Sequence, residues 1–228
     1  MAFKVKPVPG EWYHCYNRGV EKRITFKEPG DYERMRLLML TSNSSERFFL
    51  SDVSRIDRTS LYIRPLPSMG TPIVDVAGYC LMPNHFHFLL HECKEGGIAK
   101  FMQKLLTAYT MYFNKKYERS GPLFSGVYKA RHVDSDRYLK QAFAYIHANP
   151  LDLIDQSWRD GGMRGIEKVR KQLMAYPYSS LIDYYKGTRP EGALISTMAL
   201  DFFRGRDDFR RLLSEAIAYH QEHLKEIP

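Results

Sequence analysis

Two short β-forming runs separated by only two residues constrain this chain more than any other feature. Residues 73–82 (IVDVAGYCLM) are rich in strand formers, Pro83 and Asn84 give a turn signal, and residues 85–92 (HFHFLLHE) read as the returning strand. So tight a connection commits the chain to antiparallel pairing. Side chains alternate along a strand, so His85 and His87 share one face while Phe86 and Phe88 point the other way, into a core. Two imidazoles about 7 Å apart on one strand face (twice the rise per residue) can converge on one cation. The same spacing suits a pair of surface or hydrogen-bonded histidines, and spacing alone leaves both readings open.

Around this hairpin, strands and helices alternate. Residues 11–18 (EWYHCYNR) form an expected first strand, closed by the turn-prone Asn17, Arg18 and Gly19. A helix is expected from Asp31, an N-cap candidate ahead of apolar residues at helical spacing. Residues 43–70 are Ser-rich and then Pro-rich, an irregular excursion with a short strand at Leu61, Tyr62 and Ile63. Gly96 and Gly97 precede a long helix over 98–117, with Ile98, Phe101, Leu105, Ala108 and Tyr112 at helical spacing; Gly121 and Pro122 end it. Residues 123–133 read as another strand, and Asp134 or Ser135 caps a helix over 136–149 that Pro150 stops. This order predicts an α+β sandwich with a mainly antiparallel sheet. The core is expected over residues 1–155, and residues 156–228 form a helical C-terminal extension that packs on it, with DNA contact left open. Its last helix, over 207–226, aligns Phe209, Leu212, Leu213, Ala216, Ile217 and His220 on one side.

The charge balance narrows the choice of partner. With 34 Lys and Arg against 26 Asp and Glu, the 228-residue chain has a net charge of +8 and a pI near 9.3. Lys and Arg neutralise phosphates and release condensed counterions, so a polyanion is favoured. The 16 Tyr and 13 Phe sharpen this, because aromatic faces stack on unpaired bases, although most of these rings belong to the core. The apolar runs are too short to span a bilayer and residues 1–10 lack a signal-peptide hydrophobic region, so a cytoplasmic location and no membrane partner are expected. Cys15, Cys80 and Cys93 make an odd set without CxxC spacing. That argues against a disulfide framework or a Cys-rich zinc site, and all three are expected as small buried hydrophobes.

A second chemical feature lies on the helix before Pro150. Tyr145 and Asn149 stand at i and i+4, beside an apolar stripe of Leu139, Phe143 and Ile146 that would pin the helix to the sheet. A phenol next to an amide oxygen suits a nucleophile with an adjacent ligand. Asn149 could equally cap the helix while Tyr145 packs.

These residues together carry a resemblance. The run MPNHFHFLL over 82–90 closely resembles the signature of the REP-associated tyrosine transposases, relatives of the single-tyrosine insertion-sequence transposases. Tyr13 and His14 with Asn17, Arg18 and Gly19 resemble that family's opening strand. Tyr112, Phe113 and Asn114, then Gly121, Pro122, Leu123 and Phe124, resemble the helix and turn after its histidine strand. Asp136 to Leu139, then Tyr145 to Pro150 (YIHANP), resemble the catalytic-tyrosine helix, and residues 176–180 (YPYSS) resemble a downstream Ser-Ser element. The matches keep their order across residues 11–182; the stretch 43–70 is longer than the family's usual link, and the residues beyond 182 match nothing in it.

The resemblance implies the HUH nuclease fold, a ferredoxin/RRM-like antiparallel sheet with helices packed on it. It implies a catalytic set of Tyr145, His85 and His87, with His85, His87 and Asn149 holding one Mg²⁺ or Mn²⁺ beside the scissile phosphate. Tyr145 would attack phosphorus to give a 5′-phosphotyrosine and a free 3′-OH. Tyr138, two turns earlier, is the alternative nucleophile, and His147 and His91 are expected to be structural or solvent-facing. The expected substrate is single-stranded DNA, folded into hairpins by palindromic repeats, handled by a monomer or homodimer. Phosphate contacts are expected from Arg18, Lys100, Lys104, Lys115, Lys116, Arg119, Lys129 and Arg131, flanking the site. Two other readings stay open: a module that binds DNA hairpins without cutting, and a metal-dependent phosphodiesterase that uses water while Tyr145 only packs.

Overall fold

The computed structural model describes residues 6–48, 50, 60–63, 67–161, 165–185, 189–203 and 208–223. Four strands form its sheet: β1 (Trp12–Arg18), β2 (Val74–Met82), β3 (His85–Glu92) and β4 (Lys129–Val133), in the spatial order β2-β3-β1-β4. All neighbouring pairs are antiparallel. With α1 (Pro29–Ser42) between β1 and β2, and α3 (Gly97–Lys116) between β3 and β4, the chain follows the split βαββαβ path of ferredoxin-like sheets.

Several local expectations shift for physical reasons. Helix α1 starts at Pro29 and not at Asp31, because Glu28 is its N-cap and Asp31 closes a reciprocal capping box. Leu61, Tyr62 and Ile63 are not a strand; they belong to a single helical turn, α2 (Ser60–Ile63), in which the consecutive residues Leu61 and Tyr62 are both buried. An alternating, half-buried strand would expose one of that pair. Within the excursion, residues 49, 51–59 and 64–66 lie outside the described residues. The strand expected over 123–133 forms a continuous ladder only from Lys129; before it Phe124 makes an isolated antiparallel bridge to Gly19, and Gly126, at φ +72°, interrupts the run.

The register decides which side chains share a face. His85 and His87 stand opposite Arg18 and Tyr16 of β1, and Tyr16 and His14 stand opposite Lys129 and Arg131 of β4. Directly paired residues point the same way, so Arg18, Tyr16, His14, Lys129 and Arg131 look toward the same side as the histidine pair. The other side packs against α1 and α3, where Phe88 meets Phe101 at 6.4 Å between ring centroids and Phe86 meets Phe124 at 5.5 Å.

The histidine side is covered by α4 (Asp136–Ala148) and by α8 (Phe209–Glu222), which Asp208 caps by accepting the Arg210 and Arg211 N–H groups. Helices α5 (Ile166–Ala175), α6 (Leu181–Tyr185) and α7 (Thr197–Phe202) lie between them in the chain. The segment before α6 shields the outer edge of the sheet: Leu81 N–H donates to Tyr178 O at 2.9 Å and Ser180 N–H to Tyr79 O at 3.0 Å. Ser180 also explains His147. The His147 Nδ1–H donates to Phe143 O (2.8 Å), so its Nε2 accepts from Ser180 Oγ (2.7 Å), and that same oxygen accepts Tyr79 N–H (2.8 Å). Gly78 makes room for this ring, because a Cβ there would sit 3.0 Å from His147 Cε1. Among the described residues no helix is long and apolar enough to cross a membrane.

Candidate active site

His85 and His87 of β3 each use one ring nitrogen in a hydrogen bond and leave the other without one of ordinary geometry. His85 Nδ1 lies 2.7 Å from Asn84 Oδ1, whose amide is oriented by Asn84 Nδ2 donating to Lys22 O at 3.2 Å. An amide oxygen only accepts, so the proton is on Nδ1 and Nε2 carries a lone pair. His87 Nδ1 lies 2.8 Å from His14 Nε2, and His14 Nδ1 lies 3.0 Å from the Tyr219 hydroxyl. In the tautomer that frees His87 Nε2 as an acceptor, His87 donates to His14 and His14 donates to Tyr219. Burial, and secondarily Arg18, lowers His85 to about 4; burial, then Arg131 and His223, lowers His14 to about 3; burial also holds His87 well below the ordinary imidazole range. All three rings are therefore neutral near pH 7.

Helix α4 brings up the other two residues. Its N-cap Ser135 accepts Tyr138 N–H at 3.3 Å, and the helix then runs across the histidine side of the sheet. The Tyr145 ring meets His87 edge-on, 5.7 Å between centroids at 88°. Asn149 Nδ2 donates to Tyr145 O at 2.8 Å. Four buried atoms on these residues thus make no hydrogen bond of ordinary geometry among the described residues: His85 Nε2, His87 Nε2, Tyr145 Oη and Asn149 Oδ1, with Asn149 beside His85 and Arg159 beside Tyr145. Each such group costs about 1–3 kcal/mol, so their concentration in one place needs a cause, and a ligand is the natural one. Two imidazole lone pairs and an amide oxygen suit a divalent ion of the Mg²⁺ or Mn²⁺ class. The three donors are neutral and leave the ion's charge for a phosphate.

Other members of the site stand outside the expected catalytic and ligand set. His14 orients His87 from the neighbouring strand. Asp152 accepts from Trp158 Nε1 (2.7 Å) and from Arg159 Nε (3.0 Å), and it also pairs with Arg159 Nη2. Arg159 Nη1 reaches His220 Nδ1 at 3.3 Å, and the His220 ring lies parallel to Tyr145, 6.0 Å away. Burial raises the Tyr145 phenol above its ordinary range, and the Arg159 guanidinium opposes that shift. Of these, His14 lay in the opening-strand resemblance and His220 on the apolar side of the last helix, while Asp152, Trp158 and Arg159 left no trace in the sequence. Tyr138 packs against Tyr219 and His223 of the α8 region, at 6.1 and 5.5 Å, and not against His85 or His87.

The expected phosphate contacts divide between the two sides of the sheet. Arg18, Lys129 and Arg131 share the face of the histidine pair. Lys100, Lys104, Lys115, Lys116 and Arg119 lie on or just after α3, which packs on the opposite face, so the structure does not bring them beside His85 and His87. Lys100 and Lys104 donate to backbone oxygens of Ser45 and Ser44, Lys116 binds Glu28 and Asp31, and Arg119 holds Asn114 and Pro122 O.

Residues 70–149 match the family model described as IS200-like transposase, a span that takes in the β2–β3 hairpin, α3, β4 and α4 through Asn149. The resemblance to single-tyrosine transposases is borne out over those residues. A solved structure described as a REP-associated tyrosine transposase bound to a REP hairpin is similar at TM-score 0.48 and 12% identity, covering 84% of this chain and 89% of that one. No curated protein matches the chain.

Proposed function

We propose that the protein cuts and rejoins single-stranded DNA, with Tyr145 as the nucleophile. Its phenol oxygen forms a bond to phosphorus as the bond to the 3′ oxygen breaks, leaving a 5′-phosphotyrosine and a free 3′-OH. The phenol proton departs and the leaving oxygen takes one up, so no net proton is consumed. A second 3′-OH can reverse the step, which makes the same chemistry strand transfer. His85, His87 and Asn149 would hold Mg²⁺ or Mn²⁺, which supplies Lewis-acid stabilisation of the phosphate and the departing oxygen. His14 and Asn84 hold the two imidazoles in the tautomers that present lone pairs. The substrate follows from the family resemblance: single-stranded DNA beside hairpins formed by palindromic repeats.

The observation that carries this reading is that these four buried atoms belong to neighbouring side chains: the His85 and His87 rings lie 5.0 Å apart, the His87 and Tyr145 rings 5.7 Å, and Asn149 is beside His85. Incubation of the protein with end-labelled hairpin DNA and Mn²⁺ tests it. A protein–DNA adduct that survives denaturation and disappears in Tyr145→Phe is the expected result. Turnover without an adduct would favour a water-using phosphodiesterase, and binding without cleavage a DNA-hairpin module.

A further inference from the structure

At the far end of the β2–β3 ladder from His85, three side chains of different chemistry meet. Asp75 of β2 and His91 of β3 are cross-strand partners, and Cys93 is the first residue beyond β3. His91 Nδ1 lies 3.3 Å from Asp75 Oδ2, Cys93 Sγ lies 3.2 Å from the same oxygen, and Sγ to Nδ1 is 3.8 Å. Contrary to the sequence expectation, Cys93 is exposed, because β3 ends at Glu92 and its neighbour faces solvent. Asp75 and His91 are half-buried, so the cluster is open on one side. Its backbone is held: Glu92 accepts the N–H groups of Gly97 and Ile98 at 3.1 and 2.6 Å, fixing the chain on either side of Cys93.

We propose that Asp75, His91 and Cys93 form a second metal site, specific for an ion of the Zn²⁺ class. Zinc takes Cys sulfur at about 2.3 Å, His nitrogen at about 2.0 Å and carboxylate oxygen at about 2.1 Å. At tetrahedral angles those bonds separate the donor atoms by about 3.4–3.6 Å, close to the three distances present without any ion. Thiolate, imidazole and carboxylate form a set that selects a borderline ion over Mg²⁺. On binding, the Cys93 thiol releases its proton to solvent and His91 presents a Nδ1 lone pair, so a thiolate and a carboxylate offset the two charges of the ion. The fourth position goes to water. The site differs in kind from the His85/His87/Asn149 set, which is all neutral and has no sulfur. Its place at the end of the ladder ties the outer strand β2 to the chain entering α3.

Cobalt(II) distinguishes the two sites, because only a thiolate ligand gives an intense sulfur-to-cobalt charge-transfer band. The reduced full chain, titrated with Co²⁺, is expected to develop that band, saturate it at one equivalent and lose it on adding Zn²⁺. The exposed Cys93→Ser variant should lose the band while keeping its fold by circular dichroism. Asp75→Asn should weaken Co²⁺ binding at this site by at least about tenfold, since even outer-shell losses cost that much. Absence of the band in the wild type, its persistence in Cys93→Ser, or an unchanged affinity in Asp75→Asn would each overturn the proposal.

Discussion

Two buried polar clusters on opposite faces of the sheet use their hydrogen-bonding capacity in opposite ways. On the α1/α3 side, the wholly buried Asp31 carboxylate accepts from Lys27 N–H (2.8 Å), Tyr112 Oη (2.9 Å), Lys116 Nζ (2.6 Å) and Tyr117 Oη (2.7 Å). Nothing on that carboxylate is left to bind. On the α4/α8 side, His85, His87, Tyr145 and Asn149 each keep a buried atom without a hydrogen bond of ordinary geometry. Strand β3 serves both, sending Phe86 and Phe88 to the face of α1 and α3 and His85 and His87 to the other. Saturation yields stability, while unspent hydrogen-bonding capacity yields a binding site at a cost to stability.

The sharpest way to break this contrast is Tyr145→Phe. Adduct formation should fall to background, while stability should change by no more than about 1 kcal/mol, because the buried hydroxyl makes no hydrogen bond of ordinary geometry. Adduct assays on denaturing gels and urea melts of the same preparation check both halves. A variant that lost stability along with activity would mean that the hydroxyl has a structural partner.

Asp31→Asn should show the reverse. Removing one member of a buried charged cluster costs about 3–5 kcal/mol, while the folded fraction should retain its cleavage rate. The pH dependence carries the same signature. Burial pushes the Asp31 carboxyl up, but hydrogen bonds from Lys116, Tyr117, Lys27 N–H and Tyr112 together outweigh it and hold its pKa below the ordinary value of 3.8. A folded-state value below the unfolded one means that this contribution is fully present above about pH 4 and is lost as acid protonates the carboxylate. Urea midpoints measured down the acid limb should therefore drop more steeply for the wild type than for Asp31→Asn.

The contrast was only half legible in the sequence. Residues 85–92 coincide with β3 because period-two alternation is a local signal, and helix spacing located α3 and α4. Glu28 is an uncommon N-cap residue, which hid the start of α1, and Gly126 broke a run that otherwise resembled a strand. The partners of the site were invisible for another reason. His14 meets His87 across 73 positions and Tyr219 across 205, and no periodicity encodes a contact that only the folded sheet creates. Basic spacing on α3 likewise marked a solvated helix face without saying on which side of the sheet it lies.

His14→Phe probes a position to which the sequence assigned no role at the site. It leaves His87 in place but strips its Nδ1 of a partner, so the ring loses its fixed tautomer. Losses of such supporting groups typically weaken a metal site about 10–100-fold, and Mn²⁺ affinity by calorimetry should fall by that much. A fall in DNA cleavage with unchanged Mn²⁺ affinity would show that His14 acts on something other than the ligand.

The smallest expected effect separates the two sides through DNA. Lys129 is exposed on β4 and shares the face of the histidine pair, with its ammonium 5.8 Å from the Tyr16 ring. Lys115 is exposed on α3, across the sheet. A phosphate contact to single-stranded DNA changes the slope of log affinity against log salt by about 0.7. Lys129→Ala should flatten that slope by about this amount, and Lys115→Ala should leave it unchanged. Because both substitutions remove one positive charge from an exposed position, a general loss of electrostatic attraction would affect them equally. Equal slopes would mean that DNA runs along α3 as well, and that the face carrying Asp31 is not reserved for stability.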